Sequence, residues 1–390
     1  MTLRPIGWCA AALLSVATPA RAQTAIGTDQ ATPPPAAIQT SAFKPRRVER
    51  FLNALEKRAL VTRLFTPADG LGVRIGGITD GSGLAVGPAW RHSYLAGGHV
   101  QAHASAALSI RQDREVEAGI VLPHLAADLV RVSVSASATR LAQEDFYGLG
   151  RESIQANWTT FGLDRRAIES AITVAPVRWL EVAGGLATLR TTVADVVDPQ
   201  VFAPATTYRR THAAATIDYR DRPRNPRSGG RYHVALQRFA AADDARASFK
   251  RLDAELEQHL SAWKKQRLLT LSAVVSLSEA DAGHDMPFYM QRTLGGSRLL
   301  RGFVHDRFRD RNLVVLQGEY GWDVTPFINA VLFYEAGTVA AQVRDLSLAR
   351  VRDDYGLGFR LGSTGAVAFR TDLAFGGDST RFIMRLSHAF

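Results

Sequence analysis

The stretch Val367-Ala368-Phe369-Arg370-Thr371-Asp372-Leu373-Ala374-Phe375 decides the fold. Its odd positions, Val367, Phe369, Thr371, Leu373 and Phe375, form one face against Ala368, Arg370, Asp372 and Ala374. A repeat of two belongs to a strand, because successive side chains leave a pleated backbone on opposite sides. Charges confined to the minor face give the strand one wet side and one greasy side. The same text recurs around it. Tyr355, Leu357, Phe359 and Leu361 oppose Gly356, Gly358 and Arg360, and Val130, Val132 and Val134 oppose Arg131, Ser133 and Ser135. In Phe382-Ile383-Met384-Arg385-Leu386-Ser387-His388-Ala389-Phe390 the even positions carry the bulky apolar groups. From about residue 61 onward, such segments alternate with clusters of Gly, Pro, Asp and Asn.

Composition explains how this pattern meets lipid. Hydrophobic residues make up 46% of the 390 and charged residues 22%, with a formal charge of +10. No stretch beyond residue 22 approaches the ~20 unbroken apolar residues that a helical span needs. The content is also too apolar for a disordered chain, and one Cys makes no disulfide framework. A soluble sandwich would bury the greasy faces in a shared core. Dividing residues 61–390 among sixteen strands leaves about 21 residues for each strand with its connection, which fits tilted ~10-residue strands joined by short turns and longer loops. A closed barrel leaves no unpaired backbone edge in lipid. The prediction is an all-β fold, a transmembrane antiparallel β-barrel of about sixteen strands with a short N-terminal helix; fourteen to eighteen strands satisfy the same arithmetic.

The N-terminal part divides into three. Residues 1–22 read as a signal peptide, with Arg4 in the n-region, an apolar stretch from Gly7 to Ala17, and Ala20-Arg21-Ala22 as the cleavage site. Residues 23–43 read as a Pro/Ala-rich tether around Thr32-Pro33-Pro34-Pro35-Ala36-Ala37. Residues 44–60 hold a short amphipathic helix, since Val48, Phe51, Leu52 and Leu55 share one face. It is either packed under the barrel or a plug or docking helix. Residues 61–390 form the barrel, exported to the bacterial outer membrane. The terminal residues Phe382, Met384, Leu386 and Phe390 match the last-strand pattern that such barrels present to the barrel assembly machinery.

Leu294-Gly295-Gly296-Ser297-Arg298-Leu299-Leu300-Arg301-Gly302-Phe303 resembles the "LGG…LRGF" signature of the BamA/TamA family, the bacterial surface antigen barrels. Phe146-Tyr147-Gly148-Leu149-Gly150 is similar to the family's "F-x-G-x-G" strand end. The stretch from Asp218 to Gly230 is similar to its "D-x-R-D-x-P-x-x-P-x-x-G" turn, read from its Pro and Gly content simply as a turn. Arg307-Phe308-Arg309-Asp310, Glu319-Tyr320, Phe333-Tyr334-Glu335-Ala336-Gly337 and Tyr355-Gly356-Leu357-Gly358-Phe359-Arg360 follow in the family's order. The resemblance covers the barrel only. In it the chain reads as a member without POTRA domains, since only residues 23–60 would stand between leader and barrel.

Alternation places Val314, Leu316, Tyr320 and Trp322 toward lipid and Gln317 and Glu319 in the lumen. It likewise turns Ile328, Ala330, Leu332 and Tyr334 outward and Glu335 inward. Carboxylates in a confined lumen want a cationic partner, and a guanidinium can fork two oxygens at once. The resemblance implies that the Arg of the RGF loop folds inward onto acidic groups of the wall. The matching residues are Arg301, Gly302 and Phe303, with Glu319 and Glu335 as partners, although the family has Asp at the position of Glu335. Gly302 is expected to permit a tight turn behind the guanidinium.

Catalytic residues, metal ligands and cofactors are not expected. The chain has no G-x-S-x-G elbow, no H-E-x-x-H and no paired Cys. His99 and His103 sit on strand-like text, and His305-Asp306 reads as loop polarity. The Arg-rich stretch 219–231 suits anionic lipid headgroups better than nucleic acid in an exported protein. The resemblance implies outer-membrane lipid as surroundings and a protein or lipid client for insertion or translocation. The alternative is a passive pore or structural barrel.

Overall fold

The computed structural model describes residues 69–195, 201–243, 245–262, 266–325, 327–362, 367–377 and 379–386. The leader at 1–22, the tether at 23–43, the helix at 44–60, the first residues of the barrel segment and Phe390 lie outside the described residues. Sixteen strands form one antiparallel sheet, and each neighbour in space is the next barrel strand in sequence. This is the all-β transmembrane barrel that the alternation predicts.

The first half of the sheet comprises β1 (Gly70–Gly76), β2 (Ala85–Leu95), β3 (Val100–Ser109), β4 (Arg114–Leu125), β5 (Val130–Phe146), β6 (Thr159–Val177), β7 (Leu180–Ala194) and β8 (Thr206–Asp218). The second half begins with β9 (Gly229–Ala241), β10 (Phe249–Ala262) and β11 (Arg267–Ala280). Residues 281–311 then leave the wall and carry a small two-stranded sheet of their own, β12 (Arg292–Leu294) with β13 (Phe308–Asp310). The wall resumes with β14 (Asn312–Thr325), β15 (Ile328–Ala340), β16 (Arg352–Gly362), β17 (Val367–Gly376) and β18 (Thr380–Leu386). Among the described residues, pairing runs from β1 round to β18, with no ladder joining those two strands.

Tight connections such as 126–129 and 178–179 lie at one rim, and the longer ones, including 147–158 and 281–311, at the other. Outer-membrane barrels keep their short turns on the periplasmic side and their long loops outside. Outward positions carry the lipid-facing apolar groups, among them Ile168, Leu186, Leu236, Leu332 and Tyr355, all more than half exposed except Leu332 at 50%. On β18, Phe382 and Met384 point outward at 68% and 60% exposure, whereas Ile383 is buried against Phe333 and Ala374. Leu386 continues the strand's pairing opposite Phe369.

The outer half of the lumen is filled with apolar side chains. Phe146, Phe161, Leu189, Tyr208, Phe239 and Phe249 project from the wall and pack on Met286, Phe288, Tyr289 and Met290 of the 281–311 connection. Phe288 sits edge-on to Phe146 and Phe161, at centroid distances of 5.1 and 4.8 Å. A second cluster joins Leu294, Leu300, Phe303 and Phe308 of that connection to Leu313, Val315 and Val339 of the wall. The connection is thus held by the hydrophobic effect as well as by charge. Below it, toward the periplasmic rim, lies a polar cavity of about 760 Å³.

Candidate functional site: the inward-folded loop

The arginine of the RGF stretch lies at the centre of the loop's contact with the wall. Arg301 is 2% exposed, and Glu335, Asp354 and Asp372 are equally buried. Its Nη2 lies 2.8 Å from Glu319 Oε1 on β14 and 2.9 Å from Glu335 Oε1 on β15. Its Nη1 donates to Asp372 Oδ2 on β17 at 3.1 Å. Its Nε and backbone N–H both donate to the Glu335 carboxylate, at 3.0 and 2.8 Å. The guanidinium carbon lies 3.5 Å from the centroid of the Phe333 ring, a cation–π contact. The structure therefore brings Arg301, Glu319 and Glu335 together. Glu335, the longer acid at this position, reaches side chain and backbone of Arg301 at once.

Three partners escaped the sequence reading. Asp354 on β16 accepts the Gly302 N–H at 2.7 Å. Asp372 is shared between Arg301 and Arg360, the latter at 2.5 Å. Arg381 on β18 donates to the carbonyl oxygens of Arg301, at 3.2 Å, and Phe303. Asp372 and Arg381 were findable, because alternation alone sends one to the lumen face of β17 and the other to that of β18. Glu319 also meets Arg360 at 3.3 Å and Arg370 at 3.4 Å. Gln317 donates to Glu335 at 2.6 Å. The cluster is a network of four carboxylates and several guanidinium groups, in which Glu319, Glu335 and Asp372 meet cations and Asp354 is held by the Gly302 N–H.

Gly302 does not serve as expected. The left-handed backbone position belongs to Leu300, at φ 54°. Gly302 instead allows contact: a Cβ on it would lie 2.7 Å from Gly376 Cα and 2.8 Å from Asp354 Cβ. Phe303 is buried beside Phe308, with ring centroids 5.5 Å apart.

Other recognised stretches meet the same loop. The Gly150 N–H donates to Arg309 O at 2.8 Å, joining the F-x-G-x-G strand end to β13. His305-Asp306 is not solvated loop polarity: Asp306 is buried and bonded to Arg309 at 3.0 Å, and His305 packs on Gly81. Donor atoms of Glu144, His305 and Asp306 lie within 4.8 Å of one another. Arg309 already supplies the positive charge there, in competition with any metal ion for Asp306. The stretch from Asp218 to Gly230 is more than a turn. Asp221 accepts N–H groups of Arg227 and Ser228 at 2.8 and 3.1 Å, and the Arg227 guanidinium reaches Asp323 on β14 at 3.0 and 2.8 Å. It therefore folds over the periplasmic mouth of the lumen.

These features define a class, the outer-membrane barrel of sixteen strands whose longest connection is folded into its own lumen. The Omp85 superfamily domain matches residues 96–390, and the chain belongs to that superfamily. The structure is similar to BamA from Haemophilus ducreyi lacking POTRA domains 1–3, with 12% identity and a TM-score of 0.64 over 81% of this chain and 70% of that one. It is also similar to CdiB from Escherichia coli, with 13% identity and a TM-score of 0.54 over 82% of this chain and 62% of that one. For CdiB from Acinetobacter baumannii the identity is 12% and the TM-score 0.50, over 81% and 59%. At such identities the likeness carries the fold alone. The chain spans less than two thirds of either CdiB chain. None of the curated proteins matches it. The fold and family place the protein in the bacterial outer membrane as a BamA/TamA-like barrel.

Proposed function

We propose that this barrel assists the insertion or translocation of a protein or lipid client at the outer membrane, by opening a seam between β1 and β18 that the inward loop controls. The supporting observation is where the loop is fastened. On one side of the seam, Arg381 of β18 holds the carbonyls of Arg301 and Phe303. On the other, Ser297 donates to Asp80, in the connection between β1 and β2, at 2.5 Å. One loop therefore ties the first hairpin to the last strand, and the Arg301 network anchors it between them. Undocking the loop would free both edges. Unpaired strand edges are templates for another chain, which is the chemistry a client strand needs.

In this reading the role is non-catalytic and needs no cofactor. The leader at 1–22 would deliver the chain for export, and the last strand would be read by the barrel assembly machinery during biogenesis. Removing the gene should change the protein or lipid profile of the outer membrane, and reintroducing the parent should restore it. An unchanged profile would favour the alternative, a passive pore or structural barrel. Such a barrel should show steady conductance in planar bilayers that is indifferent to substitution at Arg301.

A further inference from the structure

The outer surface carries a row of cations that the lumen does not explain. Exposed Arg114, Arg140, Arg166, Arg190, Arg209 and Lys250 lie on the outward face of β4, β5, β6, β7, β8 and β10. They share that face with Val116, Val134, Ile168 and Leu186, which are 49% to 63% exposed. Cross-strand register puts the row at one level. Arg114 is opposite Arg140, Arg166 is opposite Arg190, and Lys250 is opposite Arg238 of β9. Arg209 is opposite Thr188, two residues from Arg190. Acids on this face are few: Asp164, 3.9 Å from Arg140, and Glu279, opposite Lys250. Arg238 is already paired with Asp281.

The level is that of the outer headgroups. The row lies on the long-loop side of the apolar band. On β6, the path from Arg166 to Trp179 at about 3.3 Å per residue and a tilt of about 45° covers roughly 30 Å along the membrane normal, the thickness of the hydrocarbon layer. Trp179, 47% exposed in the short turn, then lies at the opposite interface, where tryptophan is enriched. Like charges directly across a ladder destabilise it, and this row contains three such pairs. An anion seated between paired cations reverses that sign, and a phosphate accepts guanidinium donors in a forked geometry. The row covers seven consecutive strands on the wall away from β1 and β18. Among the described residues, the outward positions of β14, β15, β17 and β18 carry no Lys or Arg.

We propose that β4–β10 bind phosphorylated lipid headgroups of the outer leaflet, fixing this wall in the membrane. The test is native mass spectrometry of the full chain in detergent with a hexa-acyl diglucosamine lipid carrying two phosphates, and with the same lipid after removal of its phosphates. The parent should retain the phosphorylated lipid in preference, with binding that weakens as salt rises. A cation near an anionic lipid surface contributes about fivefold in affinity, so Arg166→Gln/Arg190→Gln/Arg209→Gln should lose roughly a hundredfold. The corresponding triple Lys variant should keep most of the binding. Equal binding of both lipids by the parent would overturn the proposal, and that comparison decides it whether or not the Gln variant assembles. A well-assembled Gln variant that binds within threefold of the parent would equally overturn it. Arg114→Gln/Arg140→Gln supplies a second, independent reading of the same row.

Discussion

Replacing Arg301 with Ala is the sharpest perturbation of the loop. The change removes the cation that Glu319, Glu335 and Asp372 share and the group stacked on Phe333. Arg360 and Arg370 remain near Glu319, and Arg360 remains on Asp372, but Glu335, with no exposed surface, would keep only neutral donors, the Gln317 amide and the backbone N–H of residue 301. Breaking a buried pair from one side costs about 3–5 kcal/mol, because the stranded charge stays desolvated. Here the cost falls on the docked state of the loop, since an undocked loop lets water reach the carboxylates. The opening free energy of residues 295–303 should therefore drop by about that amount. At about 1.36 kcal/mol per factor of ten, amide exchange in this segment should accelerate by roughly two to nearly four powers of ten. Hydrogen exchange followed by mass spectrometry on the detergent-solubilised chain reads this directly, with the β6–β7 hairpin as an internal control that should not change. Acceleration below tenfold would refute the reasoning, because it would mean the guanidinium contributes less than one well-made hydrogen bond to a charge.

Further expectations follow from individual contacts. Gly302→Ala should undock the loop, because the new methyl meets backbone atoms of Gly376 at 2.7 Å; Gly376→Ala should do the same. Exchange at 295–303 should rise at least tenfold in each, and the double variant should fall short of the sum of the two effects. Phe333→Leu keeps the apolar volume but loses the ring under the guanidinium, and should cost the docked loop about 1–2 kcal/mol by the same exchange measurement. The hydrogen bond from Arg238 holds the Asp281 carboxyl below the usual carboxylate range. Stability from that pair should be complete above the ordinary carboxylate value near 4 and be lost as pH falls through the depressed folded value. Asp281→Asn should remove that part of the acid-side slope in thermal melts from pH 2 to 6.

Much of the wall was legible because lipid enforces a strict alternation. Leu332 and Tyr334 against Phe333 and Glu335 show it; length pointed to about sixteen strands within a range of fourteen to eighteen, and the sheet has sixteen. The inward acids Glu319 and Glu335 were legible for the same reason. Alternation speaks only of which face a side chain takes, however, and not of what crosses the lumen. Alternation turns Asp354 and Arg381 toward the lumen, but which loop atoms they meet, at separations of 52 and 80 residues, depends on how the loop lies. The apolar filling by Phe288, Tyr289 and Met290 was missed for a related reason: a short apolar run in a connection carries no period. Gly302 was assigned a turn because a glycine in isolation suggests positive φ. Its actual use, contact with Gly376, lies across the barrel wall and leaves no trace in neighbouring sequence.

The account turns on one claim, that the loop must release the β1–β2 connection for the barrel to act. The side-chain oxygens of Ser297 and Asp80 lie 2.5 Å apart, so Ser297→Cys/Asp80→Cys in a Cys9→Ala background offers a reversible tether. Cells carrying the oxidised tether in place of the parent should show the outer-membrane protein and lipid profile of the deletion, and adding a reductant should restore the parental profile. A parental profile with the tether fully oxidised would contradict the claim.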